Sequence, residues 1–386
     1  MIVCLPPGCC SSTAPFREFG PAIAHNTDRI RSLHYKMALK SGHRIVPVVY
    51  KDAVRQYEHF RGYRNGTIRL DPDGWFFTTP FISFGDKYYD FKFEASDVVI
   101  MTYPKSGTTW AQEIVWTMMH NPNFDNPKSI LPVMIRSPYM DLDHILFGCP
   151  EDPAVPGTFV HDTFVQAHPN RNPKDGMFLQ FAELTEDPRI IKTHLPFSLQ
   201  STSLLETCKV IYVARDPKDV AVSWCHFSKL FVAHDFVGST SDFVEHFLDD
   251  TLIYSPFWTH LKEAWNKRNH PNIHFCFYED MKANPKEEII RIQKFLNVDL
   301  TESQINGIVH YTSFQEMRKR EGKNVMGSDT EMLMNPEILN KDGGFYRKGV
   351  AGDYKNKLSE EDIQKINEWT KENTRDMDDE FKYKIK

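Results

Sequence analysis

No run of about 18 consecutive apolar residues occurs anywhere in this 386-residue chain, so a membrane-spanning helix is not expected. Cysteine is sparse and odd in number: seven residues, Cys4, Cys9, Cys10, Cys149, Cys208, Cys225 and Cys276, are scattered without zinc-ligand spacing. That excludes a disulfide-stapled scaffold, gives no reason to expect a metal, and fits a reducing compartment. A net charge of −6 leaves no global basic field, so no nucleic-acid partner is expected and any anion site must be local. Internal repeats and low-complexity tracts are missing too. Met1–Pro7 carries no basic leader, and its apolar run is broken by two prolines, so a secretory signal is not expected and a cytoplasmic location is. What remains is 41% hydrophobic and 25% charged residues, the composition of an ordinary globular protein with a sizeable core.

The densest chemistry lies between Asp97 and His120. Val98-Val99-Ile100-Met101 has the length and branching of a buried parallel strand. Pro104 ends it, Lys105-Ser106-Gly107-Thr108-Thr109 makes a tight polar turn, and Trp110, Ala111, Ile114, Val115 and Met118 share one face of a following helix. A strand, a one-glycine turn and the free N–H groups of a helix start form a phosphate cradle. It is not a Walker A loop, because Lys105 precedes the only glycine of the turn instead of following a second one.

Three more stretches carry charge at the ends of predicted strands. In Ile190–His194, alternation puts Lys192 and His194 on one side and Thr193 on the other, and Pro196 halts the chain there. An imidazole at the carboxyl end of a parallel strand is placed to take a hydroxyl proton near neutral pH. The run Val210–Ala214 leads into Arg215, with Asp216 as helix cap, Pro217 as first helical residue and Ser223 two turns on. A guanidinium fork there suits a phosphate dianion. Asn272–Phe277 is a fourth short strand, followed by Tyr278-Glu279-Asp280. The loop Gly343–Lys355 packs four glycines with Arg347, Lys348 and Lys355, a second candidate anion site. The repeated strand-then-helix order predicts an α/β fold with a central parallel sheet flanked by helices.

Around this frame, residues 1–45 read as an extension with weakly determined structure and at most one short helix near Ile30–Leu39. Residues 46–386 read as one domain. Its aromatic-rich start, residues 46–95, is expected to cover the core, with one wall of an apolar pocket as the other reading. Residues 121–188 are rich in proline and look loop-like; a functional lid and a decorative insertion are both open. Ser359 with Asp362 is expected to cap the closing helix, whose apolar face is Ile363, Ile366 and Trp369.

The stretches T-Y-P-K-S-G-T-T-W (Thr102–Trp110), K-T-H-L-P (Lys192–Pro196), A-R-D-P-K-D-V-A-V-S (Ala214–Ser223), Y-E-D (Tyr278–Asp280) and R-K-G-V-A-G-D-Y-K (Arg347–Lys355) resemble the cytosolic sulfotransferase family, in that family's order. The resemblance implies transfer of a sulfuryl group from 3′-phosphoadenosine 5′-phosphosulfate (PAPS) to the hydroxyl of a phenol, steroid, alcohol or retinoid, without a metal. It implies His194 as general base, with Lys105, Lys192 and Ser223 also catalytic. Lys105, Ser106, Gly107, Thr108 and Thr109 would hold the 5′-phosphosulfate, and Arg215, Ser223, Arg347, Lys348 and Gly349 the 3′-phosphate. Trp110, Tyr278, Thr312, Phe314 and Met317 would surround the adenine, and Phe227 would meet the acceptor beside Lys192 and His194. The spacing from Trp110 to Lys192 resembles insect members, among them a retinol dehydratase of the same fold, which is the alternative reading; a P-loop kinase is the weaker one. Tyr354 stands where the family usually has Trp. The family's dimerisation stretch is absent after the last motif, where Lys355-Asn-Lys-Leu-Ser-Glu does not match it, so a homodimer by that route is not expected.

Overall fold

The computed structural model describes residues 37–49, 51–147, 155–321, 325–341 and 344–385. The first chemical stretch folds as expected: strand β4 (Val98–Met101) lies at the centre of a four-stranded parallel sheet in the order β5-β4-β6-β7, with β5 at Ile190–Thr193, β6 at Lys209–Ala214 and β7 at Ile273–Phe277. All four residues of β4 are buried, because helices cover both faces of the sheet. By area transfer each such side chain contributes about 1.5–3 kcal/mol. The chain passes from β4 to β5 on one side and then to β6 on the other, so the order reverses at the carboxyl end of β4. Open sheets form their crevice at such a point.

Before this sheet, residues 44–89 build a smaller antiparallel one from β1 (Arg44–Pro47), β2 (Thr67–Asp71) and β3 (Trp75–Thr78), with helices α1 (Lys51–His59) and α2 (Phe81–Tyr89). Residues 1–36, and with them most of the short helix expected near Ile30–Leu39, lie outside the described residues. The rest of that stretch is not helical: Ala38 pairs with Arg44, and Leu39, His43 and Ile45 are buried. Among the aromatics, Phe60, Trp75, Phe76, Phe77, Phe81, Phe84, Tyr88 and Phe91 are buried in the main core, and none of them reaches the cavity described below. Core packing is therefore their role, and the pocket-wall reading does not hold for these rings.

The described part of residues 121–188 holds four short helices where the prolines suggested loop. Helices α4 (Val133–Arg136), α5 (Asp143–Leu146), α6 (Phe159–Ala167) and α7 (Met177–Leu184) follow α3 (Thr108–His120) and bury Leu146, Phe164, Phe178 and Ala182. The starts of α6 and α7 are held from a distance. Asp143 accepts the amides of Phe178 (3.1 Å) and Leu179 (2.9 Å), and Asp329 accepts those of Phe159 (2.7 Å) and Val160 (2.8 Å). A buried Arg136–Glu113 ion pair, with the guanidinium 4.4 Å from the Trp116 ring centroid, ties α4 to α3.

Two caps read from the sequence are present. Asp216 accepts the Lys218 amide ahead of Pro217 at the start of α8 (Pro217–Leu230), and Ser359 accepts the Asp362 amide at the start of the closing helix Glu360–Asn373. His274, Cys276 and Glu288 also converge at the outer strand β7, although their spacing in the chain is not that of zinc ligands. The 2.6 Å His274–Glu288 contact and the Arg291–Glu288 ion pair account for those charges, and the trio lies away from the cavity.

Candidate active site

A cavity opens at the carboxyl ends of β4, β5 and β6. Its wall contains Lys105, Gly107, Thr108, Thr109, Trp110, Lys192, His194, Arg215, Ser223, Phe227, Tyr278, Thr312, Phe314, Met317, Arg347, Lys348 and Gly349. Of the residues to which the family resemblance gives a role, only Ser106 is not on the wall, being buried under the turn; Lys355 of the glycine-rich loop is also off it. Elements far apart in the chain are thus brought to one place.

The turn between β4 and α3 is shaped for close approach. Gly107 has φ +111°, and a Cβ there would lie 2.7 Å from the Tyr278 ring. Lys105 itself sits at φ +66°, a region costly for a residue with a side chain, so the backbone spends energy to aim it. Its ammonium lies 4.1 Å from the Phe227 ring centroid and 4.9 Å from that of Phe345. Burial, then Lys192, Arg215 and Arg347, lower its pKa to about 7. Four cations crowd one space, which is favourable only toward an anion. The Oγ of Ser106, the Nε1 of Trp110 and the Nε of Arg215 are buried without a hydrogen-bond partner among the described residues. Orphaned donors beside clustered cations fit a phosphate-bearing nucleotide with an aromatic base.

His194 is 6% exposed. Its Nδ1 lies 2.7 Å from the carbonyl oxygen of Thr102, which can only accept, so Nδ1 carries the proton and Nε2 keeps a free lone pair. Burial, then the charge of Lys192, holds the imidazole well below its ordinary pKa. It is therefore neutral at pH 7. His260 donates Nε2–H to the His194 carbonyl at 2.9 Å, fixing the backbone from the other side. Lys192 stands 3.9 Å from the Tyr139 ring centroid, and burial lowers its pKa to about 8.

On the opposite side, Arg215 donates to the Lys105 carbonyl (2.9 Å) and covers the Tyr278 ring at 4.4 Å. The 347–349 loop is built on Asp353, which pairs with Arg347 and Lys348, and on Asp219, which accepts the amides of Gly352 (2.6 Å) and Tyr354 (3.2 Å). Tyr354 lies 5.2 Å from the Lys218 ammonium, measured to its ring centroid.

Several wall residues were missed from the sequence. Met134, Tyr139, Leu142, Ile145, Tyr254 and Phe345 line the deeper apolar part with Phe227, and His234 faces it too. Four of these come from the proline-rich stretch, where nothing in the local pattern marks them.

A family model described as "sulfotransferase domain" matches residues 95–378. Mouse sulfotransferase 1A1 is 40% identical over 262 residues, 67% of this chain and 78% of its own length. Human sulfotransferase 1E1 is 33% identical over 277 residues, 72% and 83% of the two chains. Among solved structures, retinol dehydratase in complex with retinol and PAP superposes with a TM-score of 0.74 at 27% identity, covering 87% of this chain and 98% of that one. Retinol dehydratase with androsterone and PAP gives 0.71 at the same identity. These likenesses displace the kinase reading. With two cationic cradles and a neutral imidazole in one cavity, and a family match over most of its length, the chain belongs to the sulfotransferase family and is a PAPS-dependent sulfotransferase.

Proposed function

We propose that the enzyme sulfates the hydroxyl of a small lipophilic acceptor and that His194 is the general base. The observation that carries this is the His194–Thr102 contact, which leaves Nε2 as the proton acceptor on the cavity wall. His194 takes the acceptor's hydroxyl proton as that oxygen bonds to sulfur, and the bond from sulfur to the phosphate oxygen breaks in line. Lys105 and Lys192 offset charge on the departing oxygen and the sulfuryl oxygens. Ser106 to Thr109 embrace the 5′ end of the donor. Arg215, Ser223 and residues 347–349 hold the 3′-phosphate, and Trp110, Tyr278, Thr312, Phe314 and Met317 enclose the adenine. The acceptor lies against Phe227 and the apolar depth beyond it, a wall matched in kind to the retinol and androsterone of the retinol dehydratase complexes. A cytoplasmic location fits the absence, among the described residues, of any helix long and apolar enough to cross a membrane.

The test is a panel assay with labelled donor over phenols, steroids and long-chain alcohols. Sulfate esters of the lipophilic members are expected, and transfer only to polar or charged acceptors would refute the reading. Likeness to retinol dehydratase supports a second outcome, elimination of an allylic sulfate to an alkene. Mass analysis after incubation with retinol separates the two, since elimination gives a product lighter by one water.

Donor binding should depend on pH. A bound anion raises the pKa of Lys105 above its free value of about 7, so binding above pH 7 takes up a proton. Affinity for PAP should be flat with respect to this group below pH 7. Above it, affinity should fall, by up to about tenfold per pH unit. Titration calorimetry in buffers of different ionisation heat reads both effects.

Gly349→Ala should weaken donor binding. Gly349 has φ +63°, and a Cβ there would lie 2.2 Å from the Phe314 ring, so the change strains the loop and pushes the ring from its place. Overpacking of this kind costs about 1–3 kcal/mol. PAP affinity is expected to drop by about 10- to 100-fold, with the melting temperature of the free enzyme lowered as well.

A further inference from the structure

Residues 138–140, in the stretch that no motif explained, are hydrogen-bonded along the outer edge of β5. The Lys192 amide donates to the Pro138 carbonyl (2.8 Å), and the Met140 amide donates to the Lys192 carbonyl (3.0 Å). This brings Asp141 beside the end of β5, where its side chain is fully enclosed at 0% exposure and off the cavity wall. Its carboxylate accepts the Tyr254 hydroxyl at 2.8 Å and the His194 amide at 3.3 and 3.4 Å. It also takes a hydrogen bond from the Thr193 side chain, whose oxygen accepts from Leu195 and Gln200. Three donors converge on one buried carboxylate directly behind the residue read as the base.

Tyr254 is held as firmly. Its backbone is at φ +70°, a conformation that residues with side chains avoid and that persists only where the surroundings enforce it. Its amide donates to the Phe76 carbonyl at 2.8 Å, and its oxygen also meets Tyr139 Oη (2.7 Å) and His144 Nε2 (3.0 Å). Both Tyr254 and Tyr139 form part of the cavity wall in front of Asp141.

The charges nearby give the carboxylate a task. Lys192, Arg215 and Arg347 all repel the Lys105 ammonium, whereas at Lys192 the charge of Asp141 works against burial and favours the ammonium. The groups facing this pair are few. Lys105 and neutral His194 stand toward the cavity; Tyr139, Asp143 and His144 come from the 139–146 segment, Tyr254 from the far loop and Tyr88 from α2.

We propose that Asp141 is a positioning residue of the transfer reaction: held by Tyr254, it fixes the backbone of His194 and supplies a counter-charge behind the strand end that carries Lys192. This rests on the roles given above to His194 and Lys192. It also gives the 121–188 stretch a part in the chemistry that is neither lid nor ornament.

The test is the pH profile of kcat/KM for the acceptor at saturating donor. Asp141→Asn keeps the shape and removes the charge, so the alkaline limb should move down by about one pH unit as Lys192 deprotonates earlier. Asp141→Glu restores the charge and should return that limb to the wild-type position even if kcat stays reduced. Tyr254→Phe leaves the carboxylate one hydrogen bond poorer, so it protonates more readily and the acid limb should move up. The proposal is overturned if Asp141→Asn and Tyr254→Phe lower activity by a constant factor at every pH with both limbs in place, the mark of packing alone. Should Asp141→Asn fail to fold, an unmoved acid limb in Tyr254→Phe is decisive against it. A wild-type profile with no alkaline limb would instead overturn the role of Lys192, while that of His194 is tested separately by its own replacement.

Discussion

Replacing His194 with alanine is expected to lower kcat by about 10²- to 10⁴-fold while leaving PAP affinity within a few fold of wild type. The separation follows from the geometry. The imidazole is at the end of β5, whereas the groups assigned to the nucleotide come from the β4–α3 turn, from the end of β6 with α8, and from the 347–349 loop. Its removal empties space on the acceptor side and leaves those cradles intact. His194→Asn would be the sharper variant, since its amide nitrogen falls near the Nδ1 position and can still donate to the Thr102 carbonyl while nothing accepts the acceptor's proton. Single-turnover rates with a phenol and a tight-binding fluorescent nucleotide measure the two quantities independently. Equal loss of binding and turnover would mean that the residue serves the fold of the strand end, and that the base is elsewhere.

The second large effect is expected at Lys105. Lys105→Met retains an unbranched stem along Phe227 and Phe345 and deletes the charge, so packing changes little. A fixed cation at a site of developing negative charge is worth about 10²–10³ in kcat, and that is the predicted loss. The same variant should abolish the proton uptake that accompanies nucleotide binding above pH 7, because the group whose pKa lies at about 7 is gone. Persistence of that uptake would move the assignment to Lys192, whose pKa lies at about 8.

Much of this site was legible before any coordinates because its key residues sit where local rules apply. A strand must end at Pro104 or Pro196, and Asp216-Pro217 starts a helix by its own chemistry. Each ionisable residue placed beside such a boundary falls at the carboxyl edge of a parallel sheet, where His194, Lys105 and Arg215 are found. The 121–188 stretch was illegible for the complementary reason. The start of α7 follows Gly176, which brings no capping side chain, and its amides are taken by Asp143, more than thirty residues earlier. Aspartate 329 does the same for α6 across an even longer gap. Prolines and glycines there were read as loop because the partners that make short helices stable were not nearby in the chain. Asp141 was missed likewise: a carboxylate beside Pro138 and Tyr139 looks like surface until β5 is laid against it.

The opposed cradles bear on how the catalytic cycle ends. On the proposed assignment the nucleotide keeps both of its phosphates after giving up the sulfuryl group, so the grip of Arg215, Arg347 and Lys348 is nearly as strong on what must leave as on what must enter. Repulsion of Lys105 by Lys192, Arg215 and Arg347 in the emptied site adds a further reluctance to let go. Exit of the spent nucleotide is then expected to be the slow stage that paces steady turnover.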